Sequence, residues 1–178
     1  MKNIKECLAL EYKGNVGDTK LSHVLLIFLS RDSSWLRWRF IKHMRIANSR
    51  KKKDVVWFWH QLHKNILGNR LGYEINGKNI GEGLILYHNG PIVINGDAII
   101  GKNCKLHGDN CIGNNGISNG CPHIGDNVSI GVGAKIIGDV VIADGCFIGA
   151  GAVVVSNCFE ENSTIVGVPG KRIIGEVV

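Results

Sequence analysis

The sequence lacks the features that mark several common classes of protein. None of its six cysteines forms a CxxC pair, which weighs against a zinc site. The apolar stretch Leu21–Ser30 has only about half the length that spans a bilayer, so we expect a buried helix there. No nucleic-acid-binding motif is recognisable. We expect no signal peptide, because Lys2, Lys5 and Glu6 precede only a short apolar patch. We therefore expect a cytoplasmic protein with reduced thiols.

Positive charge is concentrated in the first part of the chain. Residues 1–79 carry 16 Lys and Arg against 6 Asp and Glu, whereas residues 80–178 carry 5 against 9. A basic segment of this kind can meet nucleic acid, an anionic membrane or an acidic polymer. Together with the repeats described next, this change predicts a helical, basic segment over residues 1–73 and a β domain over residues 74–178.

The sequence is rich in a repeat of six residues. Aliphatic residues begin each hexad of the most regular stretch, at Ile124, Ile130, Ile136, Ile142, Ile148 and Val154. A helix would repeat its apolar positions every three or four residues and a flat strand every two. A period of six instead predicts short strands and tight turns, with three hexads closing a triangular coil of about 18 residues. Of the 24 glycines, 19 lie from Gly81 onward, which agrees with a coil rich in turns.

Small residues fill the second and fifth positions of the hexads. Cys104, Cys146 and Cys158 stand at the fifth position, where we expect them to fill the core.

Two places interrupt the count of six. Earlier hexads begin at Ile80, Leu86 and Ile92. The next hexad begins two residues later than a repeat of six would place it, and we assign these two extra residues to the segment 94–99. Residues 113–122 have no aliphatic residue at the expected position. We expect this segment to leave the coil as a loop, and loops on a rigid scaffold often carry function.

A helical hairpin is predicted before the coil. Asp32 can cap a helix over residues 35–47, and a second helix over Val55–Leu67 ends at a glycine. Residues 1–20 contain turn signals and are expected to be loosely held. The hairpin can cap the open end of the coil. Alternatively, the aromatic and basic residues within 31–64 can rest on a membrane or bind an anionic acceptor.

Three segments carry a resemblance to a known family. They read LYHNGPIVI from Leu86, CPHIGDNVSIGVGAKIIGDVVIADGCFIGAGAVV from Cys121, and STIVGVPGKRI from Ser163. These segments resemble the serine acetyltransferase group of hexapeptide-repeat acyltransferases. The sequence does not contain the long N-terminal helical domain of typical serine acetyltransferases, and we expect the shorter layout to be that of the protein. The shorter layout is closer to the enzymes of that type that acetylate capsule and exopolysaccharide sugars.

The resemblance implies a fold, a donor and an assembly. The expected fold is mainly β, a left-handed parallel β-helix of hexapeptide repeats preceded by a short α-helical hairpin. The expected donor is acetyl-CoA, with no metal, and no spacing among the histidines argues for one. The expected assembly is a homotrimer with active sites between neighbouring coils. A cytoplasmic enzyme, in this reading, can also sit at the inner face of the membrane.

His88 falls on the catalytic histidine of the family. A neutral imidazole suits the work of a general base that takes the proton of an attacking hydroxyl. The carboxylate that holds this imidazole in the family falls on Glu74, provided that the turn over residues 76–79 is one residue shorter than usual. The resemblance places CoA along a further set of positions, namely Gly113, Gly133, Ala134, Gly151, Ala152, Lys171 and Arg172. A structural turn histidine and a solvated C-terminal pair remain the alternatives for His88 and for Lys171 with Arg172.

The acceptor is where the sequence departs from serine acetyltransferases. An acidic residue and an Arg-His-Pro are replaced here by Tyr87 and by Gly-Cys-Pro over residues 120–122. We expect acceptor contacts from Tyr87, Asn89, Asn114, Cys121 and His107, and a neutral sugar hydroxyl as the acceptor. Cys121 as a nucleophile has little support, since direct transfer needs none. L-serine is the alternative acceptor. A non-catalytic β-helix scaffold with a membrane- or polyanion-binding hairpin is a second alternative.

Overall fold

The hexads fold into a left-handed parallel β-helix. This computed structural model describes residues 3–17, 32–51, 54–76 and 78–173. The chain divides into two compact units, residues 1–73 and residues 74–178, which we name the helical unit and the coil unit. The strands are β1 Tyr73–Ile75, β2 Ile85–Leu86, β3 Ile92–Ile94, β4 Ile99–Ile100, β5 Lys105–Leu106, β6 Asn110–Gly113, β7 His123–Ile124, β8 Ser129–Ile130, β9 Lys135–Ile137, β10 Val141–Ile142, β11 Phe147–Ile148, β12 Val153–Val154, β13 Thr164–Val166 and β14 Lys171–Ile173.

Three sheets form the sides of the coil. Sheet one has the order β1-β3-β6-β9-β12, sheet two β4-β7-β10, and sheet three β2-β5-β8-β11-β13-β14. Neighbouring strands are parallel, except that β14 runs antiparallel to β13. Backbone bonds join successive coils, as in the bond from the Gly125 N–H to the Ile142 carbonyl at 2.8 Å.

Stacked aliphatic side chains fill the inside of the coil. Each sheet contributes one inward ladder of buried residues, and each buried aliphatic side chain stabilises the fold by about 1.5–3 kcal/mol. The ladders are Ile94, Ile112, Ile136 and Val154 in sheet one; Ile80, Ile100, Ile124, Ile142 and Cys158 in sheet two; and Leu86, Leu106, Ile130, Ile148 and Ile165 in sheet three. Cys104 and Cys146 are also fully buried, and Cys158 is nearly so, which confirms that these cysteines fill the core. Cys158 does not take the predicted fifth position, because it pairs with Ile142 and continues the ladder of sheet two.

The small second position of the hexad has a steric cause. A Cβ added to Gly101 would lie 2.5 Å from the Gly125 carbonyl oxygen in the next coil. A Cβ added to Gly81 would lie 2.6 Å from the Gly101 carbonyl oxygen. Successive coils therefore approach so closely at this corner that a side chain does not fit.

The two-residue slip does not fall where the sequence analysis assigned it. Leu86 pairs with Leu106 and Ile94 pairs with Ile112, so the eight-residue step from 86 to 94 matches a six-residue step in the next coil. Residues 94–99 make an ordinary side, and the extra residues enlarge the turn over residues 87–91 instead. Counting hexads from Ile92 produced the error, because Ile92 and Ile94 are both buried on one strand.

Three helices make up the described part of the helical unit. They are α1 Ile4–Val16, α2 Ser33–Ser49 and α3 Val55–Leu71. Asp32 caps α2 by accepting from the Ser34 N–H at 2.7 Å, and Asp54 caps α3 by accepting from the Trp57 N–H at 2.8 Å. The helix expected over Leu21–Ser30 lies outside the described residues.

Helix α1 shows that residues 4–16, which were expected to be loosely held, form a regular element with contacts to α2. The carboxylate of Glu11 is fully buried and accepts bonds from Arg45 Nε at 2.9 Å and Nη2 at 2.6 Å. The ring of Tyr12 meets Trp38 edge-on at a centroid distance of 5.1 Å. These contacts with α2 organise a segment whose local turn signals suggested no regular structure.

Helix α3 ends later than predicted. It continues through Gly68 and stops at Gly72, whose φ of 82° is left-handed and whose N–H donates to the Gly68 carbonyl at 2.8 Å. Gly68 lacks a side chain for a different reason, since a Cβ there would lie 2.7 Å from the Tyr73 carbonyl oxygen.

Three histidines meet between α2 and α3. Nδ1 of His43 lies 2.9 Å from Nδ1 of His60, so one ring donates and the other must accept as a deprotonated nitrogen. His43 also stacks on His63, with the centroids 5.0 Å apart. Burial, followed by the charges of His60, His63, Arg39 and Lys42, lowers the pKa of His43 from 6.5 to about 4.

In the part of the chain that the structure describes, no helix combines the length and the apolar character needed to cross a membrane.

Candidate active site

His88 lies in the enlarged turn between β2 and β3. Its side chain is exposed, and the turn begins with a bond from the Tyr87 N–H to the Leu106 carbonyl at 2.9 Å. Gly108 lies beneath it, and a Cβ added there would come 3.4 Å from His88 Cβ. Gly108 also has a φ of 109°, which a residue with a side chain rarely adopts. The turn therefore holds His88 at the surface of the corner that joins sheet three to sheet one.

Tyr87 and His107 form a stacked pair beside His88. Their ring centroids are 4.5 Å apart with an interplanar angle of 19°, and His107 Nε2 lies 3.3 Å from Ser129 Oγ. Burial, then the charges of His88 and Lys105, lowers the pKa of His107. A neutral His107 ring at neutral pH, together with the Tyr87 hydroxyl, gives this corner polar groups without a fixed charge.

Asn110 supports the corner from inside the coil, and the sequence analysis missed it. It is almost fully buried, accepts from the Gly108 N–H at 2.9 Å and donates to the Gly131 carbonyl at 2.8 Å and the Ala134 carbonyl at 3.3 Å. The sequence does contain a signal for it. Asn110 is a polar residue at the fifth position of its hexad, and the equivalent residues in the following coils are Ala134 and Ala152.

Glu74 lies on a different part of the coil unit. It is the outward residue of β1 and lines a cavity of about 360 Å³ with Asn76, Asn95 and Asn114. The described lining of this cavity does not include His88. The pairing of Glu74 with His88 therefore stays a prediction. The sequence analysis did not find the amide groups of Asn76 and Asn95 beside this carboxylate.

Residues 113–122 leave the coil between β6 and β7, as expected. Asn115 Oδ1 accepts from the backbone N–H groups of Ile117 at 3.0 Å and Ser118 at 2.9 Å, which shapes the tip of the loop. Cys121 is buried at its end, and burial, then the charges of Asp97 and Asp139, raises the pKa of its thiol. A raised thiol pKa disfavours the thiolate, so Cys121 is a poor nucleophile.

The loop and the His88 turn lie at opposite corners of sheet one. The turn precedes β3, whereas the loop follows β6, the strand paired with β3. A strand of three residues spans about 10 Å, so a hydrogen bond does not link the two corners. Within one chain the structure brings together His88, Tyr87, Asn89 and His107 at one corner. It places Asn114 and Cys121 at the other.

The residues predicted to bind CoA differ in what they can offer. The side chains of Ala134 and Ala152 point into the core and are fully buried, so only their backbone atoms can meet a ligand. Gly133 and Gly151 have positive φ values of 75° and 68°, and a Cβ at Gly151 would meet no atom within 4 Å. The corner at Gly151 is therefore open enough for a chain-like ligand to lie against the backbone.

The basic pair in β14 is partly engaged within the chain. Arg172 pairs with Ile165 across the antiparallel ladder, and its guanidinium bonds to the Glu160 carboxylate. A phosphate bound by Arg172 would compete with this carboxylate. Lys171 is exposed. No group of three or more His, Cys, Asp or Glu side chains that could hold a metal occurs among the residues described by the structure.

Comparison with known proteins identifies the repeat. The family described as bacterial transferase hexapeptide (six repeats) matches residues 121–156. The coil unit carries this repeat.

Relatives extend the likeness beyond those residues. The chain is 35% identical over 105 residues to the serine acetyltransferase of Synechococcus elongatus, which covers 57% of this chain and 43% of the relative. It is 39% identical over 102 residues to the serine acetyltransferase of Staphylococcus xylosus, covering 56% of this chain and 47% of the relative. The chain thus spans less than half the length of these curated relatives.

Solved structures agree on the fold. The soybean serine acetyltransferase apoenzyme superposes with a TM-score of 0.75 at 23% identity, covering 96% of this chain and 69% of that one. The serine acetyltransferase of Neisseria gonorrhoeae superposes with a TM-score of 0.71 at 26% identity, covering 98% of this chain and 66% of that one.

These comparisons contradict the sugar acceptor as the leading expectation. The relatives and structures named above are serine acetyltransferases, and they do not support closeness to the capsule and exopolysaccharide enzymes. The loss of charge at Tyr87 and at residues 120–122 is therefore not sufficient to indicate a change of acceptor.

Proposed function

We propose that this protein is an acetyl-CoA-dependent serine O-acetyltransferase. It would transfer the acetyl group to the hydroxyl of L-serine and release O-acetylserine and CoA. The observation that carries the proposal is the likeness to serine acetyltransferases through the coil, combined with an exposed histidine in the turn over residues 87–91, which the register enlarges by two residues.

His88 is the proposed general base. The serine hydroxyl oxygen attacks the thioester carbonyl carbon while its proton passes to the imidazole. The new C–O bond forms, the C–S bond breaks, and the proton returns from the imidazolium to the departing thiolate sulfur. Glu74 is proposed to orient the imidazole and stabilise its charged form. Tyr87, Asn89 and His107 would position the acceptor at the same corner.

The separation of the two corners supports a homotrimer. Asn114 and Cys121 lie across sheet one from His88, so they can meet the acceptor at His88 only if a neighbouring copy brings its loop there. Asp97 and Asp139 lie close enough to Cys121 to raise the pKa of its thiol, and Lys105 close enough to His107 to lower the pKa of its ring. In a site shared between copies, the carboxylates of Asp97 and Asp139 would meet the ammonium group of serine. The ammonium group of Lys105 would meet the carboxylate of serine.

CoA is proposed to lie along the open corner of the coil. The backbone near Gly133 and Gly151 would line the pantetheine arm, with Gly113 at the next corner. Lys171, and Arg172 after it leaves Glu160, would meet the phosphates.

The proposal is tested by following CoA thiol release with L-serine and acetyl-CoA. His88→Ala should keep the fold and the oligomer and lose at least about a hundredfold in kcat/KM, as removal of a general base implies. His123→Ala is the matched control, because this exposed histidine begins β7 on sheet two, and its rate should stay near that of the unmodified protein. Failure of the unmodified protein to acetylate L-serine would refute the activity, and normal turnover by His88→Ala would refute the assignment of the base. Light scattering gives the mass of the assembly.

A further inference from the structure

The outer face of helix α3 is apolar. Five of its exposed apolar residues recur at intervals of three or four and so share one side of the helix. They are Val55 at 84% exposure, Phe58 at 62%, Trp59 at 57%, Leu62 at 42% and Ile66 at 54%. Isolated exposed apolar residues are ordinary, but a contiguous stripe marks an interaction surface. We name these five residues the α3 stripe.

The side of α3 opposite the stripe is apolar only at its C-terminal end, where Leu67 and Leu71 are buried; over residues 55–66 it carries polar groups. His60 faces His43, and Lys64 is only 7% exposed, with burial lowering the pKa of its ammonium group. Over residues 55–66 the helix thus places His60 and His63 against His43 of α2 and its large apolar side chains outward. Core packing in the helical unit does not account for the α3 stripe.

A basic run directly precedes the stripe. The sequence from Arg50 to Lys53 reads Arg-Lys-Lys-Lys, and Asp54 then caps α3. Cations at the N-terminal end of a helix oppose its dipole, so this run does not serve to stabilise α3. Arg50 bonds to the carboxylate of Asp54, and Lys51 is exposed.

We propose that the α3 stripe is a docking surface for an anionic lipid bilayer. The helix would lie in the plane of the interface, with Phe58, Trp59 and Leu62 entering the headgroup region and the exposed Lys51 meeting anionic headgroups. Charge favours lipid over a second copy of the chain. Residues 1–79 carry 16 basic against 6 acidic side chains, so two helical units brought face to face would repel each other.

Co-sedimentation of the full chain with lipid vesicles tests this surface. The unmodified protein should sediment with phosphatidylcholine vesicles that contain phosphatidylserine, and only weakly with pure phosphatidylcholine or at high ionic strength. Combining Phe58→Ser with Trp59→Ser should weaken binding at least about thirtyfold. Combining Lys51→Gln with Lys52→Gln should weaken it on the order of thirtyfold, at about 1 kcal/mol per residue.

A matched control removes an equally exposed aromatic ring elsewhere. Phe159, in the coil unit, is 71% exposed, and Phe159→Ser should leave vesicle binding unchanged. Equal loss in this control, or binding that ignores phosphatidylserine, overturns the proposal. A third result would also overturn the proposal. If the unmodified protein does not bind vesicles, and light scattering gives a lower mass for the Phe58→Ser, Trp59→Ser protein, the stripe is a contact between copies. Helical circular dichroism establishes that each variant is folded.

Discussion

Acidification from about pH 7.5 to about pH 5 should destabilise the helical unit through His43. The ring is 8% exposed, and its pKa falls from 6.5 to about 4 in the folded protein. The unfolded chain therefore binds a proton in this interval that the folded chain does not. Well above pH 6.5, the pKa of the unfolded ring, His43 does not lower the free energy of unfolding. Below it, the loss of unfolding free energy grows as the pH falls toward the pKa of the folded protein. Lowering the pKa of His43 from 6.5 to about 4 corresponds to about 3 kcal/mol of unfolding free energy when the loss is complete, and about 2 kcal/mol of this is lost by pH 5.

Urea unfolding followed by helical circular dichroism measures this effect, because the described helices all belong to the helical unit. The free energy of unfolding should decline between these pH values in the unmodified protein. In His43→Leu the slope should become clearly shallower, with a remainder from His60, whose pKa burial also lowers. His123→Leu, which removes an exposed histidine of the coil unit, should keep the full slope. An unfolding free energy that is flat between about pH 7.5 and about pH 5, or a slope that survives His43→Leu unchanged, would refute the reasoning.

Two other side chains give sharp predictions. Glu11→Ala leaves Arg45 buried without its carboxylate and should cost about 3–5 kcal/mol of unfolding free energy by urea titration, whereas Glu6→Ala, at an exposed site of the same helix, should cost under about 1 kcal/mol. A similar cost for both would show that the ion pair is unimportant. Asn110→Ala should lower the stability of the coil unit by about 1–3 kcal/mol, because the buried Gly108 N–H loses its acceptor. It should also lower kcat by loosening the turn that carries His88, and an unchanged kcat would contradict that supporting role.

The sequence predicted the coil well because its signal repeats. Each aliphatic ladder residue and each small corner residue is required by contact with an identical neighbour, so the same constraint appears in every coil. Gly101 against Gly125 shows this directly. Even the missing aliphatic in residues 113–122 located the loop.

What the sequence did not predict depends on contacts that occur once. Helix α1 is held by the pairing of Glu11 with Arg45, which lie 34 residues apart and leave no periodic trace. The position of the register slip depended on which of Ile92 and Ile94 continues the ladder, and both are apolar. The acceptor depends on a few polar side chains at two corners, and their separation across sheet one is visible only in the folded chain.

The antiparallel strand β14 has a consequence for how the coil ends. A stack of parallel strands finishes with unpaired backbone groups that can template the addition of another chain. In sheet three, β14 covers β13 in the reverse direction, and β14 itself presents Lys171 and Arg172 along its length. Reversed polarity and positive charge discourage a second coil from continuing the ladder. The edge of sheet three is therefore a poor template for the backbone of a further parallel coil.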